Sequence, residues 1–146
     1  MHALEYFGGQ HDNALCAVSR DGNRLEPILD QQFVKRLEGK NVKQGKTKRD
    51  LAEQLRKDIR DFKVTHKLDR VVMVWCASTE AFLQPGPAHQ TLAAFEKAMD
   101  QNDPTIAPSM LYAYAAIMEG VPYANGAPNL SCDFPALEQL AVEKGV

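Results

Sequence analysis

The feature that most constrains the fold is the run RVVMVWC at residues 70–76, which is apolar and rich in β-branched side chains. Such a run predicts a strand buried on both faces, as in a parallel sheet covered by helices. The segment before it has a different period, because apolar residues recur at spacings of four, four and three, at Leu51, Leu55, Ile59 and Phe62. This spacing predicts an amphipathic helix that begins after Thr47, with Asp50 completing a capping box.

Beyond the central run, the pattern continues to alternate between helix and strand. Residues 77–87 contain two prolines and a glycine, so we expect a loop there and a helix over 88–100. Pro108 suits the first turn of another helix that runs to about Glu119, and its apolar residues on all sides predict burial all round.

The last part of the chain predicts one more strand and one more helix. Gly120 ends the preceding helix, and residues 121–124 indicate a short strand. The loop 125–131 follows, and Asp133 is the expected cap of a final helix. This order predicts an α/β fold with a doubly wound sheet over residues 47–146.

The first 46 residues are poorly assigned. Residues 13–20 suit a strand, Asp21-Gly22 suits a turn, and a basic linker follows up to residue 46. The stretch 39–47 resembles a phosphate-binding loop, but five residues rather than four separate its glycines and no buried strand precedes it. Aromatic residues are not interleaved with the basic ones, so a solvated linker is favoured over a nucleic-acid site.

Composition excludes several classes of function. A formal net charge of −2 gives no field that would attract nucleic acid or an anionic membrane. No apolar run approaches the roughly 20 residues of a membrane span, and the N-terminus lacks the layout of a signal peptide. Three cysteines without a CxxC motif suit reduced thiols in the cytoplasm. The four histidines show no metal-ligand spacing, so we expect no metal site, and Cys76 is interpreted as a small core residue.

Two polar loops mark the place where chemistry is expected. In doubly wound sheets, ligands bind at the carboxyl ends of the strands, where loops 76–80 and 125–131 should lie. Ser78, Thr79 and Glu80 in the first loop offer hydroxyl and carboxylate groups, and Asn125 and Asn129 in the second offer amides. Turn formation and helix capping explain the same residues. The residues alone therefore predict an α/β domain with a polar ligand cleft.

Four segments together resemble the myo-inositol-1-phosphate synthase family. Residues 51–62 resemble the helix before its central strand, and VVMVWCASTE at 71–80 resembles the strand and loop that end in W-T-A-N-T-E. Residues 106–113 resemble its S-P-S-T-L-(Y/F)-A helix start, and residues 121–129 its N-G-S-P-Q-N segment. The departures from these motifs, which look like those of bacterial members, are Cys76, Ser78, Ala107 and Ala127.

The resemblance implies a partial Rossmann-like NAD-binding domain with a parallel sheet flanked by helices. It also implies an isomerase that converts glucose 6-phosphate to inositol phosphate with bound NAD and no net redox change, as a homo-oligomer. By the same resemblance, Ala77, Ser78 and Thr79 should lie against NAD. The residues expected to face the nicotinamide and the substrate pocket are Ser109, Asn125, Gly126, Ala127 and Asn129.

Two family features are absent from the sequence. It contains no G-x-G-x-x-G fingerprint for the pyrophosphate, and the catalytic lysines of the family follow a D-F-K-(S/T)-G-Q-T-like stretch that it also lacks. We therefore expect the chain alone to be inactive, to bind NAD weakly or not at all, and to self-associate through unpaired strand edges. Two alternatives stay open: a non-catalytic Rossmann-like binding or regulatory module, and an unrelated α/β domain that matches by chance.

Overall fold

The computed structural model describes residues 43–76, 80 and 82–146. Helix α1 (Lys48–Thr65) precedes strand β1 (Met73–Trp75), and a 3₁₀ turn (Pro87–His89) leads to α2 (Leu92–Asp100). The chain then forms α3 (Pro108–Met118), β2 (Tyr123–Asn125) and α4 (Pro135–Lys144). The predicted order of helices and strands is confirmed, whereas the predicted strand at 13–20 and its turn lie outside the described residues.

The two strands form a parallel pair, as the sequence predicts. Met73 pairs with Tyr123, Val74 with Ala124 and Trp75 with Asn125. Because the strands are parallel, the chain must cross over between them, and α2 and α3 lie in this connection. This is the α/β arrangement expected from the sequence.

The predicted burial of β1 on both faces is wrong. Trp75 is 5% exposed and contacts Tyr112 of α3, with ring centroids 5.1 Å apart. Val72 and Val74 are 61% and 59% exposed, because alternate residues of a strand point to opposite faces and the described helices cover one of them. Cys76 is exposed as well, so its interpretation as a core residue is also wrong.

The core is built around α3. Its residues 109–117 are all buried, which confirms the prediction of a helix buried all round. Helices α1 and α4 and strand β2 contact α3, while α2 packs against α1 and α4. Phe95 lies between Tyr114 and Phe134 in this core, with ring centroids 5.9 and 5.6 Å away.

Helix α1 follows the sequence pattern closely. The Thr47 hydroxyl accepts from the Asp50 backbone N–H at 3.1 Å, and the Asp50 carboxylate accepts from the Thr47 N–H at 3.1 Å. This is the predicted capping box. The predicted apolar stripe is buried, and the charged residues on other faces form ion pairs, among them Arg56 with Glu119 at 2.7 Å.

Two elements, α2 and β2, have bounds that differ from those predicted. Helix α2 begins at Leu92 rather than at residue 88, because the Thr91 hydroxyl accepts from the Ala94 N–H and caps it. Strand β2 covers 123–125 rather than 121–124, because Val121 is buried and its N–H closes the end of α3 on the Ala116 carbonyl at 2.9 Å.

Asp133 does not cap α4, so that prediction is wrong. The N-cap is Phe134, which has no side-chain capping bond, and Pro135 begins the helix. Phe134 is 1% exposed and packs against His89, with ring centroids 4.9 Å apart. Burial of an aromatic ring therefore fixes this helix start where a polar cap was expected.

Candidate functional site

The site lies where β1 and β2 end, side by side. Trp75 and Asn125 are paired in register, so the loops that follow them leave the same edge of the sheet. The Gly126 N–H donates to the Trp75 carbonyl at 2.8 Å and extends the pairing by one step. A Cβ at position 126 would lie 3.1 Å from that carbonyl oxygen, so glycine permits the close approach of the two chains.

Glu80 lies behind this edge as a buried carboxylate. It is 3% exposed, and its Oε1 accepts from the Ser109 backbone N–H at 2.9 Å. Its Oε2 accepts from the Ser109 hydroxyl at 2.5 Å and from the Asn129 side-chain amide at 2.9 Å. We call these three residues the Glu80 cluster. It joins the two loops at the strand ends to the start of α3.

The carboxylate completes the N-terminus of α3. The N-cap position is Ala107, which has no side chain that could accept from the first turn. Glu80, which is 29 residues earlier in the chain, accepts from Ser109 in that turn instead. The partial positive charge of a helix N-terminus favours an anion there.

Asn129 is fixed by its amide nitrogen. This nitrogen lies 2.9 Å from Glu80 Oε2, 2.9 Å from Ser109 Oγ and 3.3 Å from Ser131 Oγ. Its Oδ1 is buried and has no hydrogen-bond partner within the described part of the chain. Since a carboxylate can only accept, the nitrogen must face Glu80, and the unpaired acceptor is the other end of the amide.

Asn125 organises the rest of the second loop. Its amide nitrogen donates to the Asn129 carbonyl at 2.7 Å, and its Oδ1 accepts from the Ala127 N–H at 2.9 Å. The loop is therefore closed by its own side chains around Gly126, which is exposed at the edge of the sheet.

Burial dominates the electrostatics of the site. It raises the pKa of the Glu80 carboxyl, and the hydrogen bonds from the Ser109 hydroxyl and N–H oppose that rise. Burial likewise raises the pKa of the Tyr123 hydroxyl on β2. The described residues contain no group of three or more His, Cys, Asp or Glu side chains that could hold a metal ion.

The structure brings together the predicted site residues that it describes. Ser109 and Asn129 are buried within the Glu80 cluster, Asn125 and Ala127 are half-buried, and Gly126 is exposed. The other three predicted residues, Ala77, Ser78 and Thr79, lie outside the described residues.

Glu80 is the site residue that sequence reasoning undervalued. In the sequence it is one of several polar loop residues, and the family resemblance does not place it among the expected cofactor contacts. Its position was nevertheless visible as the final glutamate of the segment that resembles W-T-A-N-T-E. Its partners could not be read from the sequence, because Ser109 and Asn129 follow it by 29 and 49 residues.

Comparison with known proteins connects this geometry to one family. The family model for myo-inositol-1-phosphate synthase matches residues 11–146. Inositol-3-phosphate synthase 1 of Bacteroides thetaiotaomicron is 48% identical over 136 residues, which cover 90% of this chain and 32% of that protein. The inositol-3-phosphate synthase of Trypanosoma brucei brucei is 40% identical over 139 residues, which cover 92% of this chain and 26% of that protein.

A solved structure supports the same family. The crystal structure of inositol-3-phosphate synthase from Caenorhabditis elegans matches with a TM-score of 0.70 and 32% identity, over 80% of this chain and 22% of that one. The chain therefore spans between about a fifth and a third of the length of these relatives. The matched part carries the Rossmann-like, NAD-binding region of these proteins, and the chain belongs to the myo-inositol-1-phosphate synthase family.

Proposed function

We propose that this chain supplies part of the NAD and substrate site of an inositol-3-phosphate synthase, an isomerase that converts glucose 6-phosphate to 1D-myo-inositol 3-phosphate. The observation that carries the proposal is the Glu80 cluster. It gathers residues from three of the four family-like segments at the carboxyl ends of two parallel strands. Ligands of doubly wound sheets bind at this edge.

The described residues fit a dinucleotide at this edge. Gly126 lets the two chains approach closely at the strand ends, since a Cβ there would lie 3.1 Å from the Trp75 carbonyl oxygen, and it is itself exposed at that edge. The Oδ1 atom of Asn129 is a buried acceptor with no partner among the described residues, and buried polar groups in native proteins normally have one. NAD, when bound, supplies hydride transfer. The part of this chain is to bind and orient: we assign cofactor contacts to Ala77, Ser78 and Thr79, and the nicotinamide and sugar side to Asn125, Gly126 and Ala127.

Ser109 and Asn129 are proposed to support the loop and not to contact the ligand. Both were expected to face the ligand, and both are almost fully buried behind the loop. From there they hold the outer residues of the loop at a fixed distance from the strand ends. The catalytic lysines that the family resemblance implies belong to another part of the enzyme, so this chain is proposed to be inactive alone.

A segment exchange tests the proposal. Residues 11–146 of this chain replace the matching third of the Bacteroides thetaiotaomicron relative, and the hybrid is assayed for turnover of glucose 6-phosphate. We expect activity within about a hundredfold of the parent, because positioning errors of about 1 Å can cost that much. A hybrid with the parent's circular dichroism and native mass but no turnover contradicts the proposal.

A titration of NADH into the 146-residue chain separates this proposal from a self-sufficient binding module. Trp75 is the one tryptophan of the sequence and lies at the end of β1, so energy transfer from its ring reports NADH at the site. We expect millimolar affinity or weaker. Micromolar affinity, about −8 kcal/mol, would instead favour a non-catalytic module that binds the cofactor by itself.

We also infer a cytoplasmic location and a homo-oligomeric enzyme. The free thiols of Cys76 and Cys132 support a reducing compartment, and the oligomer follows from the family resemblance. Among the helices of the described ranges, none combines the length and hydrophobicity that crossing a bilayer requires.

A further inference from the structure

We propose that Glu80 is a positioning residue that holds loop 125–131 against the start of α3 through Asn129, so that Asn125, Gly126 and Ala127 keep a fixed place at the strand ends. The inference rests on the proposed function for its purpose, since it names the residue that sets the ligand-facing loop. It does not rest on that function for its test, because the loop can be observed without any ligand.

Glu80 is a poor choice of residue for stability alone. A buried carboxylate loses its hydration, and the loss is offset only where hydrogen bonds and charge compensate for it. An apolar residue at 80 with a serine or aspartate at the N-cap of α3 would achieve the same capping at lower cost. The chain instead has Ala107 at the N-cap and brings a carboxylate from another loop.

Glu80 accepts hydrogen bonds from two separate segments of the chain. From the described residues it accepts two hydrogen bonds donated by Ser109 and one donated by Asn129. Ser109 lies in the first turn of the most buried helix, so it is a rigid anchor. The loop that contains Asn129 is thereby tied to that anchor by a bond between charged and neutral groups, which is stronger than one between neutral groups.

The series of hydrogen bonds continues from Asn129 toward the surface. The Asn129 carbonyl accepts from the Asn125 amide at 2.7 Å, and Asn125 in turn accepts from the Ala127 N–H at 2.9 Å. The chain of bonds therefore runs from the buried carboxylate to the half-buried and exposed tip of the loop. Removing Glu80 should release the tip without unfolding the helices.

Amide hydrogen exchange in the full 146-residue chain tests this. The Gly126 and Ala127 N–H groups both have acceptors in the loop or on β1, so their exchange rates report its closure. In Glu80→Gln we expect these rates to rise at least about tenfold, since local opening of the loop becomes easier where a buried hydrogen bond is lost. Glu80→Asp keeps the charge and should recover part of the protection.

A matched control is available at the other end of the same helix. Glu119 is the C-cap residue of α3, and its side chain is 11% exposed and bonded to Arg56 and Arg60. Glu119→Gln also removes a largely buried carboxylate from the end of α3. It should leave the exchange rates of the loop amides within about twofold of wild type, because any local opening that it causes is at the other end of the helix. Equal acceleration in both variants, or none in Glu80→Gln, overturns the inference.

The experiments also distinguish a failure of the positioning role from misfolding of the variant and from a failure of the proposed function. If Glu80→Gln does not fold, Asn129→Ala removes the hydrogen bond between Asn129 and Glu80 and leaves the bonds from Ser109 in place. Unchanged exchange rates of the loop amides in that variant overturn the inference. An inactive segment hybrid contradicts the proposed function and leaves the exchange result standing. Unchanged exchange with an active hybrid contradicts the positioning role alone.

Discussion

Glu80 gives the fold a pH dependence whose sign follows from its burial. Burial raises its pKa above the ordinary 4.5, so the folded chain holds this proton more tightly than the unfolded chain. The stability that the group contributes is therefore fully present below pH 4.5 and is lost as the pH rises through the folded pKa.

We expect this effect to appear as a changing difference between wild type and Glu80→Gln. The free energy of unfolding of wild type, minus that of the variant, should fall as the pH is raised from about 4 to about 7. Urea titrations of both proteins at several pH values measure it. Other titrating groups cancel in the difference, so a difference independent of pH would show that Glu80 is not perturbed.

The two described cysteines should differ in reactivity. Burial, followed by the negative charges of Asp133 and Glu138, raises the pKa of Cys132 to about 11, whereas Cys76 is exposed. At pH 8, about one Cys132 side chain in a thousand is then a thiolate, the form that reacts. We expect iodoacetamide to modify Cys76 at least about tenfold faster, as measured by peptide mass spectrometry. In urea the two rates should converge; similar rates in the folded chain would contradict the prediction.

At the scale of elements, the capping box of α1 is the clearest local signal that the sequence and the structure share. Thr47→Ala removes the acceptor for the Asp50 N–H and should lower the free energy of unfolding by about 1 kcal/mol. Thr65→Ala at the opposite end of the helix is the control, because Thr65 is exposed and ends the helix without capping it. Denaturant titration compares the two, and equal losses would rule out a specific capping effect.

The strand ends offer a second element-scale test. In Gly126→Ala the new methyl group would lie 3.1 Å from the Trp75 carbonyl, so either the loop or β1 has to move. We expect a loss of about 1 kcal/mol in the free energy of unfolding and a shift in Trp75 emission. Gly86→Ala is the control, because a Cβ there meets nothing within 4 Å. An unchanged emission maximum in Gly126→Ala would mean that the strand ends tolerate the side chain.

Local sequence patterns predicted the elements well where the signal is periodic. The stripe of α1 and the apolar surface of α3 both depend on side chains within one helix, and both are confirmed. The start of α4 was missed because burial of Phe134 against His89, a residue far away in sequence, overrides the polar candidate Asp133. Boundaries set by tertiary contacts are not encoded in a local pattern.

At the scale of the whole molecule, the location of the site could be predicted from the sequence, whereas its long-range hydrogen bonds could not. Parallel strand pairing alone predicts that loops 76–80 and 125–131 meet, and for the residues that the structure describes this is confirmed by the contact of Glu80 with Asn129. The hydrogen bonds from Ser109 and Asn129 to Glu80 join segments 29 and 49 residues apart. Their donors and acceptors are ordinary loop residues in the sequence, so neither spacing nor composition could pair them.

The exposed side of strand β1 favours self-association of the chain. Val72, just before β1, and Val74 within it are 61% and 59% exposed and point to the same side, as alternate residues of an extended chain do. Adjacent exposed valines on a short strand form an apolar strip, and a sheet edge beside it can pair with another chain. We expect the 146-residue chain to self-associate as its concentration rises, which sedimentation velocity would measure.

Substitution should locate that association on the sheet. Threonine is close to valine in shape and suits a strand, so the double variant Val72→Thr, Val74→Thr should weaken association by about tenfold or more while keeping the fold. Val142 on α4 is 81% exposed, more than either strand residue, yet it stands on a helix. Val142→Thr should therefore leave association unchanged. A monomer at every concentration would contradict the prediction, and equal weakening by Val142→Thr would place the contact elsewhere than on β1.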